Sequence, residues 1–153
     1  MNPNAPPDWL PAFLVIFFPI FWCLILYLIS FIGGWRQLAK RYRCSGPISG
    51  TVWRFQSGSM HRFTESSYGG CLKVIANEEG MGLATFFPFR VGHPSLFIPW
   101  SEMLVSEMRR FIFFKRVRFT FPDAPSLWFE ISPRLAAKIQ NAVGLGWLAD
   151  PGE

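Results

Sequence analysis

The residues with the widest chemical range gather in Arg90–Met103, RVGHPSLFIPWSEM, where a histidine, two serines and a glutamate stand among two prolines and a tryptophan. A histidine and a serine make a hydrolytic pair only if the base reaches the hydroxyl and a third group orients it. His93 lies between Gly92 and Pro94, a turn composition, and Ser95 follows two residues later. Two residues of extended chain rise about 6 to 7 Å, which separates the pair beyond hydrogen-bond reach. There is also no G-x-S-x-G elbow. The pattern predicts a turn histidine whose ring bonds a nearby carbonyl, with Gly92, His93, Pro94, Pro99 and Trp100 as an architectural signature and no catalytic residue.

Other chemistries are no better supplied. Cys23, Cys44 and Cys71 form no C-x-x-C pair, and with His93 and Glu102 they give no zinc-ligand spacing. The apolar helix described below contains no histidine to ligate haem. GGWRQ and GMGLA lack the helix context and the terminal Gly or Lys of phosphate-cradling loops. No metal and no cofactor are expected, and the protein reads as a non-enzyme. Basic and aromatic residues interleave in RRFIFFKRVRF, but the strand signature of RNA-reading domains is missing. With 15 Lys and Arg against 10 Asp and Glu, the net charge of +5 suits an anionic membrane surface better than nucleic acid.

Half of the residues are hydrophobic and only 16% are charged, against about 25% in soluble domains. Much of the apolar excess lies in Leu10–Ile32, LPAFLVIFFPIFWCLILYLISFI, which holds no charged residue and no histidine. As a helix it would span roughly 34 Å, enough for a hydrocarbon core of about 30 Å. The residues before it lack the positive flank of a signal peptide. Pro19 is a kink that bilayer helices tolerate. Asp8 precedes the run, whereas Arg36, Lys40, Arg41 and Arg43 follow it, so the rule that positive flanks stay inside predicts an outer N-terminus and a cytoplasmic C-terminal domain.

The expected organisation is a tail over 1–9, a transmembrane helix over 10–32, a juxtamembrane segment over 33–49, a β domain over 50–145 and a tail over 146–153. If the helix continues through GGWRQLAKRYR, Trp35, Leu38, Ala39 and Tyr42 share one face and Arg36, Lys40 and Arg43 another. Trp35 then reads as a belt residue, and Arg36, Lys40, Arg41 and Arg43 as contacts for anionic headgroups, while the apolar face packs onto the following domain.

Beyond SGPISG the period changes to two. Strands are expected over 51–56, 71–76, 81–87, 95–98, 104–109, 115–121 and 126–131, with Ser57–Gly70 as a polar loop that has room for a further short pairing. Ser132 and Pro133 open a last helix that Gly144 closes. Between the fifth and sixth strands, Phe111, Ile112, Phe113 and Phe114 are flanked by Arg109, Arg110, Lys115 and Arg116. This segment is either a contact for membrane or partner or alternate core residues.

About seven antiparallel strands in hairpin order with a C-terminal helix resemble the pleckstrin-homology superfold, a partly open barrel of two bent sheets plugged by the helix. More narrowly, W-x-x-L-A-x-x-Y over Trp35–Tyr42, paired with FRVGHPSLFIPWSE over Phe89–Glu102, resembles a family of uncharacterised bacterial single-pass membrane proteins. The resemblance implies a bacterial inner-membrane location and a pleckstrin-like domain, but no activity. The loop between the first two strands offers only His61 and Arg62 beside Glu65, which departs from the basic cluster of inositol-phosphate binders. The expected function is a membrane-anchored accessory or scaffold subunit docking on another membrane protein or complex, with an anionic-lipid sensor as the alternative and an enzyme acting on a membrane substrate as a remote third.

Overall fold

The computed structural model describes residues 7–110 and 114–144. A first helix, α1 (Trp9–Gly33), carries Pro19 within it and is the one described helix long and apolar enough to cross a membrane. It does not continue. Gly34 turns left-handed at φ 95° and starts a separate helix, α2 (Trp35–Tyr42). Only glycine enters that region without strain, and a Cβ here would lie 2.5 Å from Leu127 Cδ1.

Seven strands follow: β1 (Thr51–His61), β2 (Glu65–Ala76), β3 (Gly80–Thr85), β4 (Leu96–Pro99), β5 (Leu104–Arg110), β6 (Phe114–Phe121) and β7 (Ala124–Ile131). A final helix, α3 (Pro133–Val143), is capped by the Ser132 hydroxyl, which accepts from the Leu135 amide, and ends on left-handed Gly144. The strands form one open antiparallel sheet in the order β4-β3-β2-β1-β7-β6-β5. Its two edges, β4 and β5, are consecutive in the chain, joined by the short 3-10 turn Trp100–Glu102. The sheet must therefore curl until its edges meet at that corner. Trp100 locks the corner, its amide donating to Glu79 O and its indole to Asn77 O.

The inner face of the curl holds the core. Val117, Phe119 and Phe121 alternate inward on β6, as period-two patterning requires, Val117 opposite Ile131 and Phe119 opposite Phe129 of β7, with Leu127 buried in the same core. Leu135, Ala136 and Ile139 of α3 enter the same core, and α3 rests on β2 and β6.

One expectation changes in extent: the further pairing within Ser57–Gly70 takes up most of the stretch, because β1 and β2 stay paired from Gly58↔Tyr68 to His61↔Glu65 and leave only a short tip. On its other side β1 pairs with β7, Met60 opposite Phe129, so Gly58–His61 are hydrogen-bonded on both edges. The apolar face of α2 packs onto the sheet as expected, with Trp35, Leu38 and Tyr42 buried in its core. Of the aromatic segment between β5 and β6, Phe111, Ile112 and Phe113 lie outside the described residues. The flanking strands pair as far as Arg109↔Lys115 and Arg110↔Phe114.

Replacing Gly34 by alanine should destabilise the protein by about 1–3 kcal/mol, through a strained φ and the contact with Leu127. Gly46→Ala meets open space and should be near neutral. Thermal unfolding of both variants in one detergent checks the difference, and equal melting temperatures would refute it.

Candidate cationic site

The turn before β4 fastens the sheet to the two N-terminal helices. The Ser30 hydroxyl donates to Gly92 O at 2.5 Å, and the Trp35 indole donates to Pro94 O at 2.9 Å. Trp35 is fully buried, with ring centroids 5.1 Å from His93 and 5.4 Å from Tyr68. On the opposite side of α1, the Phe63 amide at the β1–β2 tip donates to Ile32 O. The helix end is thus gripped from two loops.

His93 is the centre of this contact. Its Nδ1 lies 2.9 Å from Val91 O, which can only accept, so Nδ1 carries the proton. Nε2 then accepts from the Tyr68 hydroxyl at 3.1 Å. Burial holds the imidazole below its ordinary pKa and pushes the Tyr68 phenol up. Both ring nitrogens are engaged with structural partners, and His93 is brought to Tyr68 and Trp35.

Beside this grip lies an open cleft of about 690 Å³, lined by Tyr27 of α1, by Arg36, Lys40 and Arg43, and by Arg90 with Gly92, Pro94 and Ser95. Four cationic residues line it, and among its described lining residues none is acidic. Arg36 is held by its guanidinium stacking over the Tyr27 ring at 4.4 Å. A second cleft of about 650 Å³ also includes Tyr27, Arg36 and Lys40, here with Leu28, Phe31 and Arg62. Cations over an apolar helix flank match a phospholipid, which carries phosphate above hydrocarbon.

The predicted surface residues divide accordingly. Arg36, Lys40 and Arg43 come together, with Lys40 and Arg43 exposed. Arg43 is extended past the helix, bridged to Leu96 of β4. Arg41 points elsewhere, its guanidinium pairing with Glu102 at 3.0 Å and with Asp123. The Tyr42 hydroxyl donates to the same Glu102 carboxylate, and burial with that neighbour pushes its phenol up to about 12. Glu102 therefore bonds side chains of α2. Trp35 is corrected as well, because its indole serves the fold and meets no headgroup.

Sequence reasoning missed Arg90 and Arg62. Neither neighbours the basic segment in the chain, and only the grip of two loops on α1 brings them to it. Among the described residues, no cluster of three or more His, Cys, Asp or Glu is placed to hold a metal ion. No protein-family model, curated protein or solved structure matches the chain.

His93 supplies a pH prediction. Its folded pKa is depressed, so the unfolded chain takes up a proton near 6.5 that the folded chain refuses. Stability is complete above that value and should fall as pH drops below it, by at most about 1.4 kcal/mol per pH unit for one proton. His93→Gln should flatten this slope. Denaturation at about pH 8 and pH 5 checks it, and an unchanged slope in the variant removes His93 as the cause.

Proposed function

We propose that the protein is a non-enzymatic, single-pass protein of the bacterial inner membrane whose pleckstrin-like cytoplasmic domain binds anionic headgroups where α1 leaves the bilayer. The curled seven-stranded antiparallel sheet with its C-terminal helix supports the pleckstrin-like reading, as does the resemblance carried by Trp35–Tyr42 and Phe89–Glu102. The basic flank after α1 supports a cytoplasmic domain. One observation carries the ligand: Arg36, Lys40, Arg43 and Arg90 converge on a cleft with no carboxylate among its described lining residues, at the level of Tyr27 on the membrane helix. A cluster of like charges is self-repelling, and an arriving phosphate relieves it. Each cation near an anionic leaflet contributes about 1 kcal/mol.

The accessory-subunit reading is supported by a different feature. Phe13, Phe17 and Phe21 stack along one side of α1 at 5.3 and 5.4 Å and stay largely exposed, which offers a face to another membrane helix. A partner retained through mild-detergent purification and seen by mass spectrometry tests it. A clean monomer would count against it.

For the headgroup site, short-chain phosphatidylglycerol added to the detergent-solubilised full chain should raise its melting temperature. Phosphatidylcholine should raise it much less. Saturation at about a hundred times Kd corresponds to about 2.7 kcal/mol, and added salt should shrink the effect. Replacing Arg43 and Arg90 together by glutamine should abolish the difference between the lipids. Equal shifts from both lipids in the parent protein would sink the reading.

A further inference from the structure

The loop between β3 and the His93 turn climbs α1 towards its N-terminus. Gly92 approaches Tyr27, where a Cβ would lie 3.1 Å from the Tyr27 Cα. Three residues earlier, Phe89 meets Trp22 with ring centroids 6.0 Å apart. Trp22 stands eleven residues before the end of α1, about 16 Å along the axis. A hydrocarbon slab of about 30 Å that starts at Trp9 needs about 20 residues and ends near Leu28. Phe89 then lies about 9 Å inside it.

The residues beyond Phe89 fit that depth. Phe86, Phe87, Pro88 and Phe89 carry no polar side-chain atom, and Phe87 is 88% exposed. Phe86 stacks on Phe55, centroids 4.9 Å apart, and Phe55 is itself exposed. Arg90 follows and lines the cationic cleft at the level of Tyr27, where its long side chain can reach the headgroups.

Irregular backbone is excluded from hydrocarbon unless its polar groups are satisfied. From Phe89 to Pro94, as the loop returns along α1, five carbonyls have hydrogen-bond partners. Phe89 O accepts from the Thr85 hydroxyl, Arg90 O from the His93 amide and Val91 O from His93 Nδ1. Gly92 O accepts from Ser30 and Pro94 O from the Trp35 indole. Pro88 and Pro94 have no amide hydrogen to satisfy. Within Phe86–Phe89 itself, the Phe86 amide donates to Cys71 O.

We propose that Phe86–Phe89 is a hydrocarbon-immersed wedge, a second membrane contact in which Phe87 enters the acyl chains of the leaflet beside α1. The proposal rests on the reading of α1 as a membrane span but not on the headgroup site. Its occupant is lipid; water and a protein neighbour are the competing outcomes. The test uses the purified full chain in phospholipid nanodiscs, which expose both leaflets, with Cys23, Cys44 and Cys71 replaced by serine. A nitroxide is attached at Phe87→Cys or, as the reference, at Glu78→Cys in the β2–β3 turn. The ratio of oxygen to nickel-chelate accessibility at 87 should exceed that at 78 by about tenfold or more, since the chelate is excluded from hydrocarbon. High nickel access at 87 means water, and low access to both reagents means burial against protein; either overturns the wedge. In the otherwise unaltered chain, Phe87→Asp should lower the melting temperature in nanodiscs, and no change there also overturns it. Carbonate extraction separates the premises: release of the protein from membranes fails the span, whereas retention with a low ratio fails the wedge alone.

Discussion

The chain must change direction where the apolar helix ends, and it must do so while burying a tryptophan. Gly34 makes the turn in a left-handed conformation, and Trp35 enters the core beneath the His93 turn. The orientation of the whole sheet follows from that pair. Had α1 run on as one straight helix, Trp35, Leu38 and Tyr42 would have left the core, removing large apolar surfaces worth about 3–5 kcal/mol each for the biggest. The indole adds direction to the burial, because its single donor finds Pro94 O and fixes the turn that in turn holds Ser30. An unpaired indole in so buried a place would cost about 1–3 kcal/mol.

This placement sorts the basic residues of α2. Arg41 faces Glu102 and Asp123, so its charge is spent within the fold and ties α2 to the β4–β5 corner. Arg36, Lys40 and Arg43 face the other way and meet Arg90 from the loop. A similar division occurs on the sheet, where Arg118 forks onto buried Glu130 at 2.7 and 2.9 Å, a charge that could not be left alone there. The cations of the cleft have no such partner among its lining residues. Arg36 and Lys40 are kept apart from the structural ion pairs by the face of α2 they occupy, whereas Arg43 and Arg90 reach the cleft from outside that helix.

Much of the fold was legible in the sequence, and the misses have physical causes. An uncharged run of 23 residues leaves few alternatives to a long apolar helix, and Ser132, Pro133 and Gly144 each satisfy a helix-end requirement on their own. The alternation in β6 was equally plain. Ser57–Gly70 misled because strand preference depends on neighbours. Its β1 half gains pairing from β2 on one side and β7 on the other, and Gly58 is needed where Phe129 passes within 2.9 Å of its missing Cβ. Trp35 misled for a related reason, since an amphipathic ring suits a membrane interface and a buried hydrogen-bonded niche alike. The half of the site that comes from Arg90, and the Tyr68–His93 bond across 25 residues, depend on contacts that no local pattern encodes.

With α1 in the bilayer as proposed, the absence of a loose tether has an energetic consequence. A domain on a flexible linker samples many heights and tilts, and its site meets a surface ligand at an effective concentration diluted by that freedom. Here the hydrogen bonds of Ser30, Trp35 and Phe63 hold the sheet against α1, and the cleft stays at one level of the leaflet. The ordering cost is met once, on folding, and does not recur with each binding event. A shallow cationic cleft of modest intrinsic affinity can then remain occupied simply because headgroups are always within reach. Selectivity under these conditions comes from charge and height more than from a closely fitting pocket, which agrees with an open cleft lined by long, exposed side chains.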